Sequence, residues 1–327
     1  MGIEKGKVCV TGGAGYFASW LIKRLVQLGY SVSTTVRSDP TFKEDTTHLK
    51  ALPGAPERLE IFDADLSRPD SFSAAIHGCV GVFHTAHPII FDAQDPENMV
   101  IKPALEGTGG ILRACLNSNT VKRVVYTSSA SAVAFHAKKD LKEMDESVWT
   151  DVEFCRAQDI PISSYFISKT LTERAVLEFA AEYGMDVVTV LPSSVVGPFL
   201  VPHLPSSFST SMALILGDRE HCRVLRQMQF VHIDDLASAH IFLMECPQAT
   251  RRYICSSADT TIHTLSKFLS NRFPEFPIPT DILDEVEEEE PLHLSSQKLL
   301  NLGFKFEFGL EEMFDEAINC CKQKGFL

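Results

Sequence analysis

The stretch Val8-Cys9-Val10-Thr11-Gly12-Gly13-Ala14-Gly15-Tyr16-Phe17-Ala18 decides the fold of this chain. A short β-rich run is followed by glycines, and these open an amphipathic segment at 16–28. Gly12 permits a tight turn, Gly15 lets the backbone approach a pyrophosphate, and small Ala18 lets helix and strand pack closely. The helix N-terminus then faces the phosphate charge. This order predicts a dinucleotide site, although a purely structural turn is the competing interpretation.

Further β-rich runs alternate with longer amphipathic segments in the first part of the chain. The pattern predicts strands at 7–11, 31–36, 59–64, 80–85, 123–127 and 186–191, and helices at 16–28, 98–118 and 163–183. This βαβ alternation predicts an α/β fold of the Rossmann type, a doubly wound parallel sheet covered by helices on both faces.

The pattern changes after Pro192, because prolines break the chain repeatedly as far as Pro205. A further strand at 229–233 and a helix at 236–244 follow. We therefore predict a nucleotide-binding domain at 1–197, to which 229–245 return. Residues 198–228 and 246–327 are expected to form a smaller C-terminal substrate-binding domain. The acidic run Asp284–Glu290 is expected to be a solvated loop, and no metal site is expected.

The composition narrows the possible partners. The chain has 327 residues, 45% hydrophobic content and a formal net charge of -13, without a Lys/Arg-rich run. This argues against nucleic acid or an anionic membrane as a partner. No apolar run approaches the roughly 20 residues of a membrane span, and the first residues do not resemble a signal peptide. The nine cysteines lack a Cys-x-x-Cys pair, so reduced thiols and a cytoplasmic protein are expected.

The residue after the second strand, Arg37, indicates the kind of dinucleotide. An NAD enzyme usually has an acidic residue there, whereas an arginine can hold a 2′-phosphate in a bidentate grip. We therefore predict NADP(H), with a plain surface arginine as the alternative. Asp65 and Leu66 are expected beside the adenine, although Asp65 is equally suited to cap a helix before Pro69. The remaining residues assigned to cofactor binding are Tyr16, Phe17, Thr85, Pro192 and Ser194.

Tyr165 and Lys169 stand four residues apart, on one face of a predicted helix. A cation beside a phenol favours the phenolate, so the pKa of Tyr165 is expected to fall. Such a tyrosine can exchange a proton with a carbonyl–alcohol pair. Ser129 follows the fifth strand, where open α/β sheets bind ligands, and is expected to hydrogen-bond the substrate oxygen. Ser128 is expected to be a strand-end cap, and an exposed helix face is the alternative for the Tyr–Lys pair.

Several motifs resemble those of the extended short-chain dehydrogenase/reductases, specifically the plant dihydroflavonol reductase-like branch. They cover essentially the whole chain and comprise 8–12, 81–86, 125–129, 165–169, 195–199, 230–235 and 252–257. The resemblance implies NADPH, a C-terminal substrate domain and a catalytic triad formed by Ser129, Tyr165 and Lys169. It also implies that Arg37 binds the 2′-phosphate.

Three positions depart from the family pattern, two of them around the substrate and one in a proton relay. Dihydroflavonol reductases commonly have an asparagine where this chain has Ala134, which argues against a dihydroflavonol substrate. Gln227 matches a pocket glutamine of the family. His87 stands where relatives mostly have Ser or Thr, and is expected either to bind substrate or to pack. The segment Ala104–Thr108 lacks the asparagine that forms a proton relay in many extended members.

These features predict an NADPH-dependent reductase of a carbonyl group in an aromatic plant metabolite. The same residues also suit the reverse reaction, an NAD(P)+-dependent oxidation of an alcohol or hemiacetal. A catalytically idle nucleotide-binding protein is the third alternative. A monomer is expected, with a homodimer left open.

Overall fold

A seven-stranded parallel sheet forms the centre of the computed structural model, which describes residues 5–37, 45–90, 93–136, 143–157, 162–224, 227–286 and 291–327. The strands, numbered in chain order, are β1 Lys5–Thr11, β2 Tyr30–Val36, β3 Leu59–Asp63, β4 Gly81–His84, β5 Arg123–Thr127, β6 Glu143–Met144, β7 Val187–Pro192, β8 Ser194–Val196, β9 Gln227–His232, β10 Arg251–Cys255, β11 Ala258–Thr261 and β12 His293–Leu294. The large sheet has the order β10-β7-β5-β4-β1-β2-β3, and its paired strands are parallel.

The order of this sheet reverses at β1, which lies between β2 and β4. Such a switch point opens a crevice at the carboxyl ends of the strands, where α/β proteins of this kind bind ligands. The predicted Rossmann-type fold is therefore confirmed, and the glycine turn after β1 lies at the switch point.

Helices cover the sheet on both sides. In chain order the α-helices are α1 Tyr16–Gln27, α2 Thr47–Lys50, α3 Ala55–Arg58, α4 Ser73–Ile76, α5 Lys102–Ser118, α6 Val152–Ala157, α7 Ser163–Tyr183, α8 Ser206–Ser211, α9 Ala213–Leu216, α10 Arg219–Val224, α11 Ile233–Glu245, α12 Ile262–Arg272, α13 Gln297–Asn301 and α14 Leu310–Lys324. A π-helical turn at Glu97–Ile101 leads into α5, and 3₁₀ turns lie at Pro69–Phe72, Ala130–Ala132 and Thr280–Glu285. In the part of the chain that the structure describes, no helix is long and apolar enough to cross a bilayer.

Side chains of β1 alternate between two hydrophobic clusters. Val8 and Val10 pack into the cluster that contains α1 and α11, whereas Cys9 packs into the one that contains α5 and α7. Successive strand residues point to opposite faces, so a strand covered on both sides must be apolar throughout. All nine cysteines are free thiols, and all but Cys246 are buried.

One strand of the large sheet was assigned wrongly from the sequence. Residues 251–255, expected in the smaller domain, form β10 and pair with β7, with Arg251 opposite Val188. The strand is hard to recognise because it begins with two arginines, and the second of them is buried. The predicted strand at 229–233 lies instead in a three-stranded sheet with β8 and β11. The division into two domains stays a prediction, and 287–290 of the acidic run lie outside the described residues.

Helix α5 passes very close to the segment that follows β3. A Cβ atom on Gly110 would lie 2.3 Å from Cβ of Pro69, and one on Gly107 would lie 2.6 Å from Cδ2 of Leu66. Two glycines on one face of α5 therefore allow the loop with Asp65 and Leu66 to lie directly against the helix.

Gly110→Ala should lower the free energy of unfolding by about 1–3 kcal/mol, because the new methyl group overlaps a proline ring that cannot turn aside. The neighbouring Gly109→Ala is the matched control. Its Cβ would meet only the guanidinium of Arg113, at 3.4 Å. Alanine there should be neutral or stabilising by about 0.5–1 kcal/mol through helix propensity. Urea denaturation of both variants checks this, and equal stabilities would contradict it.

Candidate active site

The glycine turn after β1 is pressed between β2 and the loop after β4. Gly12 has φ +73 and its amide donates to Oγ1 of Thr35 at 3.0 Å. A Cβ on Gly12 would lie 3.1 Å from Cα of Ala86. One on Gly13 would lie 2.1 Å from Oγ1 of Thr34, an overlap that no side chain can make. Glycine is therefore required at both positions, at Gly12 by the backbone of the loop after β4 and at Gly13 by the buried side chain of Thr34 on β2.

The N-terminus of α1 has the features of an anion site. Gly15 is the N-cap, no side chain caps the helix, and no acidic residue stands in its first turn. The first amides of a helix lack intrahelical partners and carry partial positive charge, so they suit a pyrophosphate. A Cβ on Gly15 would lie 3.2 Å from the carbonyl oxygen of Gly12, so the turn is also closely packed on itself. These residues fit the dinucleotide predicted from the sequence.

The side chains of Tyr16 and Phe17, both predicted to bind cofactor, pack into or against the main hydrophobic core. The Tyr16 hydroxyl donates to the carbonyl oxygen of Gly197 at 3.2 Å, and its ring packs against Phe199 and Phe208. The ring of Phe17 lies 4.6 Å from that of His240. What Tyr16 can offer a cofactor is consequently its backbone amide at the helix start.

Arg37 lies just beyond β2 and lines a cavity of about 630 Å³ together with Val36, Lys50, Phe62 and Asp63. Two basic side chains and an apolar floor in one cavity are what an adenosine carrying a 2′-phosphate requires.

Asp65 closes a turn with Ser67 and does not cap the 3₁₀ turn Pro69–Phe72, whose N-cap is Arg68. Its Oδ1 accepts from the amide of Ser67 at 2.7 Å and from the Ser67 hydroxyl at 2.6 Å. Burial acts to raise the pKa of Asp65, but these hydrogen bonds and the charges of Arg37 and Arg68 hold it below its usual value. Asp65 is thus ionised beside Arg37, while Leu66 next to it lies against Gly107.

A buried histidine, not predicted from the sequence, ties the glycine turn to the loop after β4. His84 Nδ1 lies 3.0 Å from Oγ1 of Thr11, and its Nε2 lies 2.9 Å from Oγ1 of Thr108. The same Thr11 oxygen accepts from the amides of Thr85 and Ala86, each at 3.1 Å. Burial, with a contribution from the charge of Lys169, lowers the pKa of His84 to about 3. The only signal in the sequence was a histidine ending an apolar strand.

Ser129, Tyr165 and Lys169 come together at the carboxyl end of β5. Tyr165 is half-buried and hydrogen-bonded to the side chain of Ser129. Lys169 is buried, and its Nζ donates to the carbonyl oxygen of Thr127 at 3.0 Å. Nζ lies 5.9 Å from the centroid of the Tyr165 ring. The exposed helix face weighed as an alternative is therefore wrong.

The expected lowering of the pKa of Tyr165 by Lys169 is also wrong in this structure. Burial raises the pKa of Tyr165, and the hydrogen bond with Ser129 opposes that shift. Burial likewise lowers the pKa of Lys169 to about 7, against the opposing charge of Glu173. Removing both groups from water disfavours both charges, an effect that residue spacing cannot reveal.

Of the two serines after β5, Ser129 rather than Ser128 caps a turn. Ser129 Oγ accepts from the amide of Ser131 at 3.1 Å and so caps the turn Ala130–Ala132. Ser128, predicted to be the cap, instead donates to Oε2 of Glu173 at 2.7 Å. Ser129 therefore has its oxygen held by the backbone while it contacts Tyr165.

Glu173 is the centre of a buried polar network that was not predicted. Its Oε1 accepts from Thr189 Oγ1 at 2.7 Å and from Arg252 Nε at 2.9 Å. Arg252 also donates to the carbonyl oxygens of Glu146 and Val148, both at 2.8 Å, and its guanidinium lies 3.5 Å from the centroid of the Trp149 ring. One carboxylate thereby joins α7 to β5, β7 and β10.

His87 lies beside Tyr165. Its Nε2 is 3.2 Å from Oγ of Ser168, and its ring meets that of Tyr165 edge-on with centroids 5.8 Å apart. Burial, together with the charges of Lys169 and His84, lowers its pKa well below the usual value, so the imidazole is neutral.

The other residues predicted around the substrate and nicotinamide lie at strand ends and loops. Ala134 is half-buried, and next to it Phe135 stacks on Phe166 with centroids 3.8 Å apart. Pro192 is buried at the end of β7, and Ser194 is exposed at the start of β8. Thr85 donates to the carbonyl oxygen of Thr11. The side chain of Gln227 lies outside the described part of the structure.

Comparison with known proteins agrees with this geometry. The family model described as NAD dependent epimerase/dehydratase family matches residues 8–255. The chain belongs to this family. It is 54% identical to noscapine synthase of Papaver somniferum, over 98% of this chain and 93% of that protein. It is 49% identical to vestitone reductase of Medicago sativa, over 99% of both chains.

Solved structures of family members superpose closely on the chain. The crystal structure of vestitone reductase from alfalfa gives a TM-score of 0.87 at 47% identity, covering 99% of this chain and 100% of that one. The yeast reductase Gre2 complexed with NADPH gives 0.81 at 26% identity, covering 98% and 100%. The predicted family, enzyme class and fold are thus confirmed.

Replacing His84 should weaken the acid sensitivity of the fold. The unfolded chain binds a proton at this residue below about pH 6.5, whereas the folded chain does so only near the pKa of about 3. The free energy of unfolding therefore falls with decreasing pH, by about 1.4 kcal/mol per pH unit from this residue. Urea denaturation between pH 6.5 and 5 should show a shallower slope for His84→Gln. The exposed His77→Gln should keep the slope of the natural protein, and an unchanged slope in His84→Gln would refute the assignment.

Proposed function

We propose that this protein is an NADPH-dependent reductase that transfers hydride to a carbonyl group of an aromatic plant specialised metabolite, of flavonoid, isoflavonoid or alkaloid type. The observation that carries the proposal is the meeting of Ser129, Tyr165 and Lys169 at the end of β5, close to the glycine turn of the family's dinucleotide site. A phenol, a hydroxyl and an ammonium group at one point suit proton transfer to a carbonyl oxygen.

The roles of the three residues follow from their contacts. Tyr165 gives its phenolic proton to the substrate oxygen as the alcohol forms. Ser129, held by the backbone of Ser131, donates a hydrogen bond to the same oxygen. Lys169 supplies positive charge that offsets the tyrosinate. When bound, the nicotinamide supplies the hydride, and the protein supplies position and electrostatics.

The cofactor is NADP(H). The turn at Gly12 and Gly13 and the uncapped N-terminus of α1 would hold the pyrophosphate, and Arg37 would hold the 2′-phosphate. Ser193, between the predicted contacts Pro192 and Ser194, has a buried hydroxyl without a hydrogen-bond partner among the described residues. A buried hydroxyl of this kind needs a partner, so it supports a ligand at the end of β7.

An aromatic substrate is supported by the lining beside Tyr165. Phe135 and Phe166 form a stacked pair there, and the neutral ring of His87 adds a flat polar surface. Vestitone reductase and dihydroflavonol 4-reductase, whose names specify such compounds, are each 49% identical to this chain. Ala134 offers no side-chain hydrogen bond, so a dihydroflavonol is a poorer candidate than an isoflavonoid or an alkaloid.

The reverse reaction is the second candidate, because noscapine synthase is 54% identical to this chain. The protein would then use NAD(P)+ to oxidise an alcohol or hemiacetal. The same residues serve both directions, since a proton donor in one is the proton acceptor in the other. Assays with NADPH plus ketones and with NADP+ or NAD+ plus alcohols at one pH distinguish the two.

We further propose a monomeric cytoplasmic enzyme, which suits the net charge of -13.

Tyr165→Phe should lower kcat/KM for a ketone substrate by a factor of about 100 to 10,000, because the proton donor is lost while the ring remains. Tyr183→Phe, at the exposed end of the same helix, should retain full activity. NADPH oxidation is measured at 340 nm with a panel of flavanone, isoflavanone and alkaloid ketones. Full activity of Tyr165→Phe would refute the mechanism.

Arg37→Gln should weaken NADPH binding by about 10- to 100-fold, because a charge-assisted contact with the 2′-phosphate is lost. Binding of NADH, which lacks that phosphate, should stay nearly the same. Arg156→Gln removes an exposed arginine elsewhere and controls for the change in net charge. Titration of cofactor fluorescence gives both dissociation constants, and a parallel loss for NADPH and NADH would contradict the assignment.

A further inference from the structure

The carboxylate of Glu173 lies one helical turn beyond Lys169 and is fully buried. The proton transfer proposed for Ser129, Tyr165 and Lys169 does not use this carboxylate. A buried charge is also costly unless it is paired. Here it is paired with Arg252 and bound by two hydroxyl groups. The question is whether this arrangement acts on the catalytic residues or only holds three strands and a helix together.

A hydrogen bond and one peptide bond connect Glu173 to Ser129, the serine of the proposed catalytic centre. Ser128 donates to Glu173 Oε2 at 2.7 Å, and its amide donates to the carbonyl oxygen of Val190 at 2.8 Å. Both ends of Ser128 are therefore fixed. Because Ser129 is the next residue, the direction in which its hydroxyl leaves the strand depends on that anchor.

An electrostatic path leads from Glu173 to Lys169. The titratable and charged groups around Lys169 come from every element packed against it: His84 on β4, His87 in the following loop, Tyr126 on β5, Tyr165 and Glu173 on α7, and Arg252 on β10 behind Glu173. The two histidines are neutral, because burial lowers the pKa of each. Among these groups Glu173 is the one that carries negative charge.

We propose that Glu173 is a positioning residue for the catalytic centre: it fixes Ser129 through Ser128, and its charge balances that of Lys169. This inference rests on the proposed function. It assigns the pair formed with Arg252 a second task, namely to hold the carboxylate in place and aimed at β5. A purely structural ion pair would affect stability alone.

The test separates the two paths with two variants. Ser128→Ala removes the hydrogen bond to Glu173 and keeps the charge, so kcat should fall about tenfold with an unchanged pH profile. Glu173→Gln removes the charge, and Lys169 should then lose its proton at lower pH. The decline of kcat on the alkaline side should therefore move to lower pH, by about one unit. Glu178→Gln, exposed on the same helix, is the matched control and should change neither quantity.

A double variant that removes both partners of the ion pair keeps the test valid if Glu173→Gln fails to fold. Glu173→Leu/Arg252→Met replaces the ion pair with apolar side chains, an exchange that buried ion pairs often tolerate. If Glu173→Gln does not fold, this variant should fold and show the same shift in the pH profile. The inference would be overturned if Glu173→Gln or Glu173→Leu/Arg252→Met kept the kcat and pH profile of the natural protein. Tyr165→Phe is measured in parallel, since full activity there overturns the proposed function instead.

Discussion

The close approach of the Gly12–Gly13 turn to β2 and β4 is the constraint on which the rest of the site depends. A Cβ on Gly12 would press on the backbone of Ala86, and one on Gly13 would overlap the side chain of Thr34, so only glycines let the turn lie this close to both neighbours. That contact orients the first turn of α1 with its amides free for phosphate. It also brings Thr11 within hydrogen-bond distance of the loop after β4, which carries His87 to the edge of Tyr165. Cofactor and proton donor are positioned by one backbone contact.

Most of the large sheet could be predicted from the sequence, and so could the meeting of Ser129, Tyr165 and Lys169 at the end of β5, because both depend on local patterns. Apolar runs that alternate with amphipathic segments identify β1 to β5 and β7, and a four-residue spacing identifies Tyr165 and Lys169. Strand β10 was missed because Arg252 inside it is neutralised by Glu173, a residue 79 positions earlier that no local pattern connects to it. The hydrogen bond from Ser128 to Glu173 was missed for the same reason, since it joins residues 45 positions apart.

The pKa values show a second limit of local reasoning. A lysine one turn from a tyrosine suggests a lowered phenol pKa, but burial acts on both groups and raises that of Tyr165. The chemistry assigned here therefore relies on the hydrogen bond from Ser129 and on the charge balance around Lys169, rather than on spacing alone. In the proposed function, substrate choice would depend on the loops that carry His87, Ala134 and Phe135, since loops can change without disturbing the sheet.

The pairing of Glu173 with Arg252 also constrains the order of folding during synthesis. Helix α7 leaves the ribosome well before β10, so its buried carboxylate must wait for a counter-charge that has not yet been synthesised. Until Arg252 arrives, closing α7 onto β5 and β7 would bury an unpaired charge, which is strongly unfavourable. Stable docking of α7 against the sheet therefore requires β10, which supplies Arg252, and so follows the synthesis of most of the chain.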